Sequence, residues 1–336
     1  MRRDLEAISK IKDRAVDLRR LILVSDGIVP KDVLKYGYME YVVQKAINLG
    51  FDPVAAIRMA TLNVAERFAL DRAIGGIAPC RYADILIIPE LHKIDAELVI
   101  SNGKVVARNG ELLVSPRSHA YSEASLNTVR VPRKVTSADF SIHAGEAASP
   151  TRVRVIDQVT DLVTRELQVE VSASGGKIRS DVSRDIVKVA AIDRANNQGK
   201  LFVGLVRGFG IKSGAFASTG AWDTSDIVVV GVSGEDMAGA VNRVVDLQGG
   251  IVVYADGKVQ AELPLEILGL ASSRPMEFVA ARLKEIEQRL HDLGCLLANP
   301  LLTLTTLTCA AIPHLRICEE GLVRIRDGNR EKLMVK

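Results

Sequence analysis

The sequence predicts a mixed α/β protein, and three observations carry that prediction. Short apolar runs bounded by turn residues recur along the 336-residue chain, the pattern of buried strands. Other stretches place apolar residues at helical spacing, as at positions 278, 279, 283, 286 and 290. Between residues 115 and 150 the chain is rich in Ser, Pro, Arg and His and has no periodicity, so two textures meet across a connecting segment. At roughly 150 residues per domain the length fits about two units. Apolar residues are 48% of the chain and aromatics 4%, so the cores are built from Val, Ile, Leu and Ala.

Taken in order, residues 4–20 read as a helix with a mixed-charge solvated face. Residues 21–24 (LILV) read as a short buried strand ending at Ser25-Asp26-Gly27. A carboxylate at the end of an apolar strand is well placed for chemistry, because barrel and open-sheet enzymes carry catalytic groups there. A helix is expected over 38–48. Another opens at Asp52-Pro53, with Asp as the N-cap and Pro at the first helical position. Residues 83–89 and 98–107 read as strands, the latter folded at Asn102-Gly103, a strong hairpin signal. In the second half, strands are expected at 152–156, 165–173, 186–193, 201–207, 227–232, 251–254 and 258–263, and helices at 235–247 and 275–293. Residues 297–312 read as a buried element. Arg207-Gly208-Phe209-Gly210 is no dinucleotide fingerprint, since the third glycine and a following helix are absent.

Charge and composition exclude several classes. Lys plus Arg is 44 and Asp plus Glu is 41, a balance that builds no nucleic-acid face. The basic cluster Arg117, Arg130, Arg133, Lys134 lacks interleaved aromatics and reads as solvated surface. No stretch of about 18 apolar residues marks a membrane span, and the charged N-terminus has no apolar signal core. Cys80, Cys295, Cys309 and Cys318 show no metal or redox spacing, which suits a cytoplasmic location, and the last three read as inert core thiols. The five histidines (His92, His119, His143, His291, His314) stand alone.

Two sets of motifs resemble a known family. Met59-Ala60-Thr61-Leu62-Asn63 with Ala65, then Gly76-Ile77-Ala78-Pro79 and Ala83-Asp84, resembles the closing segment of the amidohydrolase superfamily, with Cys80 where a Gly is usual. Val206-Arg207-Gly208-Phe209-Gly210, Gly214 to Ser218, Glu235-Asp236-Met237, Gly249 to Val253 and Leu263-Pro264-Leu265 resemble, in order, the C-terminal domain of bacterial and archaeal adenine deaminases. The resemblance runs from about residue 5 to 333. It implies a residual C-terminal piece of a (β/α)8 metallo-hydrolase barrel with a small β-domain segment, followed by a mixed α/β adenine deaminase C-terminal domain. The divisions expected are 1–75 for the last helix–strand–helix part of the barrel, 76–115 for the small β-domain strands, 116–140 for the connector and 141–336 for the C-terminal domain. The implied reaction is metal-dependent hydrolysis of adenine to hypoxanthine and ammonia, with Mn2+ or Fe2+ as cofactor. Asp26 matches the family's catalytic, metal-touching aspartate. Local sequence alone leaves it equally open as a loop cap.

Departures from the family pattern are as informative. The family's His-x-His pair and further His ligands would precede Asp26, and no His precedes residue 92. One Asp cannot hold a catalytic divalent ion, since three or more ligands are the norm. The expectation is therefore a chain that lacks most of the barrel and is inactive alone. Three alternatives stand: a truncated gene, a split enzyme whose barrel is a separately encoded polypeptide, and a non-catalytic oligomerisation or binding module. A homo-oligomer also fits the family. In the second half, family members often read A-H-D-S-H-N where this chain has Ala221 to Asp226, so Trp222 and Ser225 stand at the His positions. Asp223 is kept, as a weak candidate site residue or a turn residue. Trp222 reads as a packing residue. Asp193-Arg194 is followed by Ala195-Asn196-Asn197, where a His is common.

Overall fold

The computed structural model describes residues 4–14, 16–144, 150–196 and 198–335. Asn197 therefore lies outside the described residues. The chain divides into two compact units, Met1–His119 and Ala120–Lys336.

The first unit packs helices around a small core. They are α1 (Asp4–Ile8), α2 (Pro30–Tyr36), α3 (Met39–Asn48), α4 (Pro53–Ala60) and α5 (Leu62–Arg67). Helix α3 buries Val42, Val43, Ala46 and Ile47 against Ala56 and Met59 of α4, with Leu23 and Phe51. Asp52 caps α4 as expected, its Oδ1 accepting the Ala55 N–H at 2.8 Å. A four-stranded antiparallel sheet follows: β1 (Ile85–Ile87), β2 (Leu98–Ser101), β3 (Lys104–Arg108) and β4 (Glu111–Leu112). Asn102 and Gly103 both adopt positive φ (50° and 77°), the type I′ geometry that the dipeptide favours.

Among the described residues there is no closed barrel. Two expectations are corrected here: residues 21–24 are not a strand, and residues 4–20 are not one helix. Residues 21–24 run extended, with Leu21 N–H donating to the Leu18 carbonyl and Leu23 N–H to the Met59 carbonyl, both at 3.0 Å. A strand needs a neighbouring strand to satisfy its backbone, and none among the described residues pairs with it. The expected helix over 4–20 is only α1 and short 3-10 turns. Asp17 caps one of those turns by accepting the Arg19 N–H, and the stretch buries no apolar face to propagate a helix.

The second unit is built on an eight-stranded sheet. Its strands are β6 (Thr151–Gln158), β7 (Thr164–Val171), β10 (Ile186–Asp193), β11 (Leu201–Arg207), β12 (Ala215–Ser218), β13 (Asp226–Gly231), β14 (Gly250–Ala255) and β15 (Lys258–Pro264). Their spatial order is β15-β14-β12-β13-β10-β11-β6-β7, antiparallel except for the parallel β11–β6 pair. Short pieces surround it: α6 (Glu123–Leu126), β5 (Ile142–His143), β8 (Ala173–Ser174), β9 (Lys177–Ile178), and the hairpins of β16 (Leu315–Cys318), β17 (Gly321–Arg324) and β18 (Asn329–Glu331).

Strand alternation explains the layering. In β10, Val187, Val189 and Ala191 face one core, which also holds Ile286 and Leu290 of α8 (Met276–Asp292) and Leu304 of α9 (Pro300–Thr305). Ala190 and Ile192 face the other, with Met237, Ala240, Val241 and Val244 of α7 (Gly234–Asp246). Strand β13 divides the same way, Val228 and Val230 against Ile227 and Val229. Both sheet faces are covered, which is why these strands read as nearly unbroken apolar runs. Val129, Val135 and Phe140, from the stretch expected as connector, are buried beside α7.

Arg316 is the largest fully buried side chain, 1% exposed. Its guanidinium donates to the carbonyls of Thr306, Ile312 and Pro313 at 3.1, 2.8 and 2.9 Å and to that of Leu162. Burial pulls its pKa down to about 10. Among the described residues no carboxylate balances it, so its role is to satisfy these carbonyls. Arg316→Ala orphans these groups and is expected to destabilise the unit by about 3–5 kcal/mol. Urea denaturation measures this, and a loss under about 1 kcal/mol contradicts the role.

Candidate functional sites

In the first unit, the motif residues build the approach to Asp26. Asn63, buried at 3% exposure, donates through Nδ2 to the carbonyls of Leu18 (2.9 Å) and Leu21 (2.8 Å). This clamp, with the Leu23–Met59 bond, fixes the extended segment that ends at Ser25-Asp26. Gly75 (φ 92°) lies so close to Ala65 that an added Cβ would sit 2.5 Å from the alanine methyl. Asp84 accepts the Asn102 N–H (2.7 Å) and the Ser101 hydroxyl (3.2 Å), tying β1 to the hairpin turn. Asp26 itself is exposed, with φ at 53°. It lines a cavity of about 320 Å³ walled by Leu5, Ile8, Leu23 and Val42, with Asp4 and Lys45.

These donors do not fit a divalent metal. Among the described residues Asp4 is the only other carboxylate lining that cavity, and Lys45 is paired with Glu6 at 2.8 Å. Among the described residues no group of three or more His, Cys, Asp or Glu could hold a metal ion.

In the second unit, residues 193–196 and 221–226 come together. Asp193 ends β10 and Asp226 begins β13, and the two are direct cross-strand partners. With Arg194, Asn196, Asp223 and Glu319 they line a cavity of about 610 Å³. Asp193 is held by donors: the N–H of Ala195 (2.8 Å), the N–H of Asn196 (3.1 Å) and the Ser225 hydroxyl (2.9 Å). Ser225 in turn receives the Asn196 amide at 3.3 Å. Arg194, also buried, donates to the Leu268 and Thr128 carbonyls at 3.1 and 3.4 Å. Burial lowers its pKa.

Asp226 is the residue that sequence reasoning passed over. It is 1% exposed, and its Oδ2 has no hydrogen-bond partner among the described residues. Burial, reinforced by the negative charges of Glu319 and Asp193, pushes its pKa up to about 7. The pair therefore combines an amply hydrogen-bonded carboxyl with one that exchanges its proton near neutrality. Such a cavity can hold a donor-rich ligand and move a proton. The signal was present: both residues are carboxylates at the edge of otherwise apolar runs.

Asp223 sits at the rim with φ at 63°, its Oδ2 accepting the Ala310 N–H at 2.9 Å. It ties the 221–226 loop to residue 310 and also lines the cavity. Trp222 is not the expected packing residue. It is 43% exposed, because its backbone, not its ring, is anchored, by Thr305 and Thr308. Burial raises the pKa of the Cys295, Cys309 and Cys318 thiols, in keeping with inert thiols. Among the described residues no helix is long and apolar enough to cross a membrane.

A fold of this kind, joining an α/β domain to a piece bearing amidohydrolase motifs, defines a class that similarity to known proteins makes specific. Residues 2–110 match the amidohydrolase family and residues 161–329 match the adenine deaminase C-terminal domain. The chain belongs to the adenine deaminase C-terminal domain family. It is 39% identical over 322 residues to an adenine deaminase of Moorella thermoacetica, covering 95% of this chain and 54% of that protein. Adenine deaminases of Clostridium botulinum (36% over 322 residues; 95% and 54%) and Brucella suis (38% over 307 residues; 91% and 51%) are similar to comparable extents. The chain spans about half the length of the curated relatives it matches.

The Asp226 pKa has a stability consequence. An aspartate titrates near 3.9 when unfolded and near 7 here, so between these values the folded state holds the extra proton. The stabilisation is complete below pH 4 and is lost as pH rises through 7, by up to about 3 kcal/mol between pH 5 and pH 8. Urea denaturation at both pH values is expected to show this component in the parent protein and not in Asp226→Asn. Identical pH dependence in the two proteins refutes it.

Proposed function

We propose that this chain is the C-terminal part of an adenine deaminase-type hydrolase. The reaction adds water to the amino-bearing ring carbon of adenine, breaks the C–N bond and releases hypoxanthine and ammonia. Asp26 is the residue of this chain that takes part, accepting the proton of the attacking water and delivering it to the leaving amine. The observation that carries the reading is the Asn63 clamp, which lets motif residues of the amidohydrolase match present Asp26 at the mouth of a cavity. Similarity to adenine deaminases along 95% of the chain supports the same reading.

The manganese or iron that the family's chemistry uses needs ligands other than the residues described above. The partner this reading calls for is a barrel-bearing polypeptide that supplies them, and the cytoplasm is the compartment that holds the substrate. The 336-residue chain alone is expected to give no adenine turnover with Mn2+ or Fe2+.

The test is a chimera in which this chain replaces the matching 322-residue segment of the Moorella thermoacetica relative. Ultraviolet absorbance should show conversion of adenine by the folded, metal-loaded chimera. Asp26→Asn in the same chimera should lower kcat about 10²–10⁴-fold. A folded, metal-loaded chimera without turnover, or an undiminished Asp26→Asn variant, contradicts the proposal.

A further inference from the structure

We propose that the second unit carries a binding site for a phosphate monoester group in the cavity at the N-terminus of α7. The cavity, about 550 Å³, lies at the other end of β10 and β13 from the Asp193–Asp226 pair and has the opposite charge. Three cations line it: Lys177 of β9, Arg179 just beyond that strand, and Lys188 of β10. Among the described residues no hydrogen bond or ion pair engages any of their side-chain nitrogens.

Lys188 is the informative one. It interrupts a strand in which Val187 and Val189 are fully buried, and its own side chain is half-buried. Burial lowers its pKa, and the charges of Lys177 and Arg179 push it the same way while Glu235 opposes them. A lysine so placed costs stability unless an anion meets it. Gly234 and Glu235, in the first turn of α7, line the same cavity. Ser233 caps the Asp236 N–H at 3.1 Å, and the N–H groups of Gly234 and Glu235 have no carbonyl within the helix. Gly234 is required there, since a Cβ would lie 2.7 Å from the Ser137 carbonyl that forms the wall. The Ser180 side chain is already committed, donating to the Val232 carbonyl at 2.8 Å. Three cations and a helix N-terminus suit the doubly charged oxygens of a phosphate monoester, and the volume leaves room for an attached sugar. Among the described residues Glu235 is the one carboxylate lining the cavity, and it weakens binding.

Isothermal titration of the full chain at constant ionic strength tests this, using inorganic phosphate in one arm and ribose 5-phosphate in the other. One saturable site is expected. Lys188→Met should weaken it at least tenfold, and Glu235→Gln should tighten it about threefold. Tighter binding of the sugar ester assigns an organic phosphate as the ligand, and equal binding assigns phosphate itself. Because no hydrogen bond or ion pair among the described residues engages Lys188, Lys188→Met should melt no lower than the parent chain in phosphate-free buffer. Absence of saturable heat in both arms, or a Lys188→Met variant that binds like the parent, overturns the proposal. A Lys188→Met variant that melts lower shows that the lysine serves the fold and overturns it as well.

Discussion

The meeting of Asp193 and Asp226 at the ends of β10 and β13 is the interaction on which the chemistry of the second unit depends. A sheet covered on both faces leaves almost no place for a charge, because burying an unpaired ion costs far more than a side chain's packing returns. Charges therefore collect where strands end. One carboxyl of the pair is surrounded by donors; the other is left with an unpaired oxygen and holds its proton near neutrality. Ser225 supplies a hydrogen bond to Asp193, and Trp222 is 43% exposed.

The first unit works by a different device. Asn63, Gly75 and Asp84 lie in or beside the motifs, yet each also serves the fold. Asn63 clamps two carbonyls, Gly75 admits a close approach, and Asp84 fastens a hairpin turn. The Asn63 clamp holds the segment leading to Ser25-Asp26 extended without a neighbouring strand. A motif residue can thus be held for the geometry it enforces.

Much of the second unit was legible in the sequence, because a sheet buried on both faces writes its strands as apolar runs. The extents of β10 and β11 follow directly from IVKVAAID and LFVGLVR. Strand β12 was not legible. Its Ala215-Phe216-Ala217-Ser218 is short, small and flanked by glycines, and its burial comes only from β13 and β14 on either side. The segment 21–24 shows the reverse case, an apolar run with no edge to pair with. Asp26 and Asp223 were visible as carboxylates at turns, and both prove to have positive φ. Asp226 was visible as a carboxylate at the edge of an apolar run, but its raised pKa was not, because that arises from burial and from Glu319, almost a hundred residues away, and Asp193.

The side-chain carboxyl carbon of Asp226, followed by ¹³C NMR through a pH titration of the whole chain, reports this constraint most directly. A midpoint near pH 7 is expected. A midpoint near 4, the value of a solvated aspartate, would mean that the end of the sheet is open to water and that the pair has no special protonation.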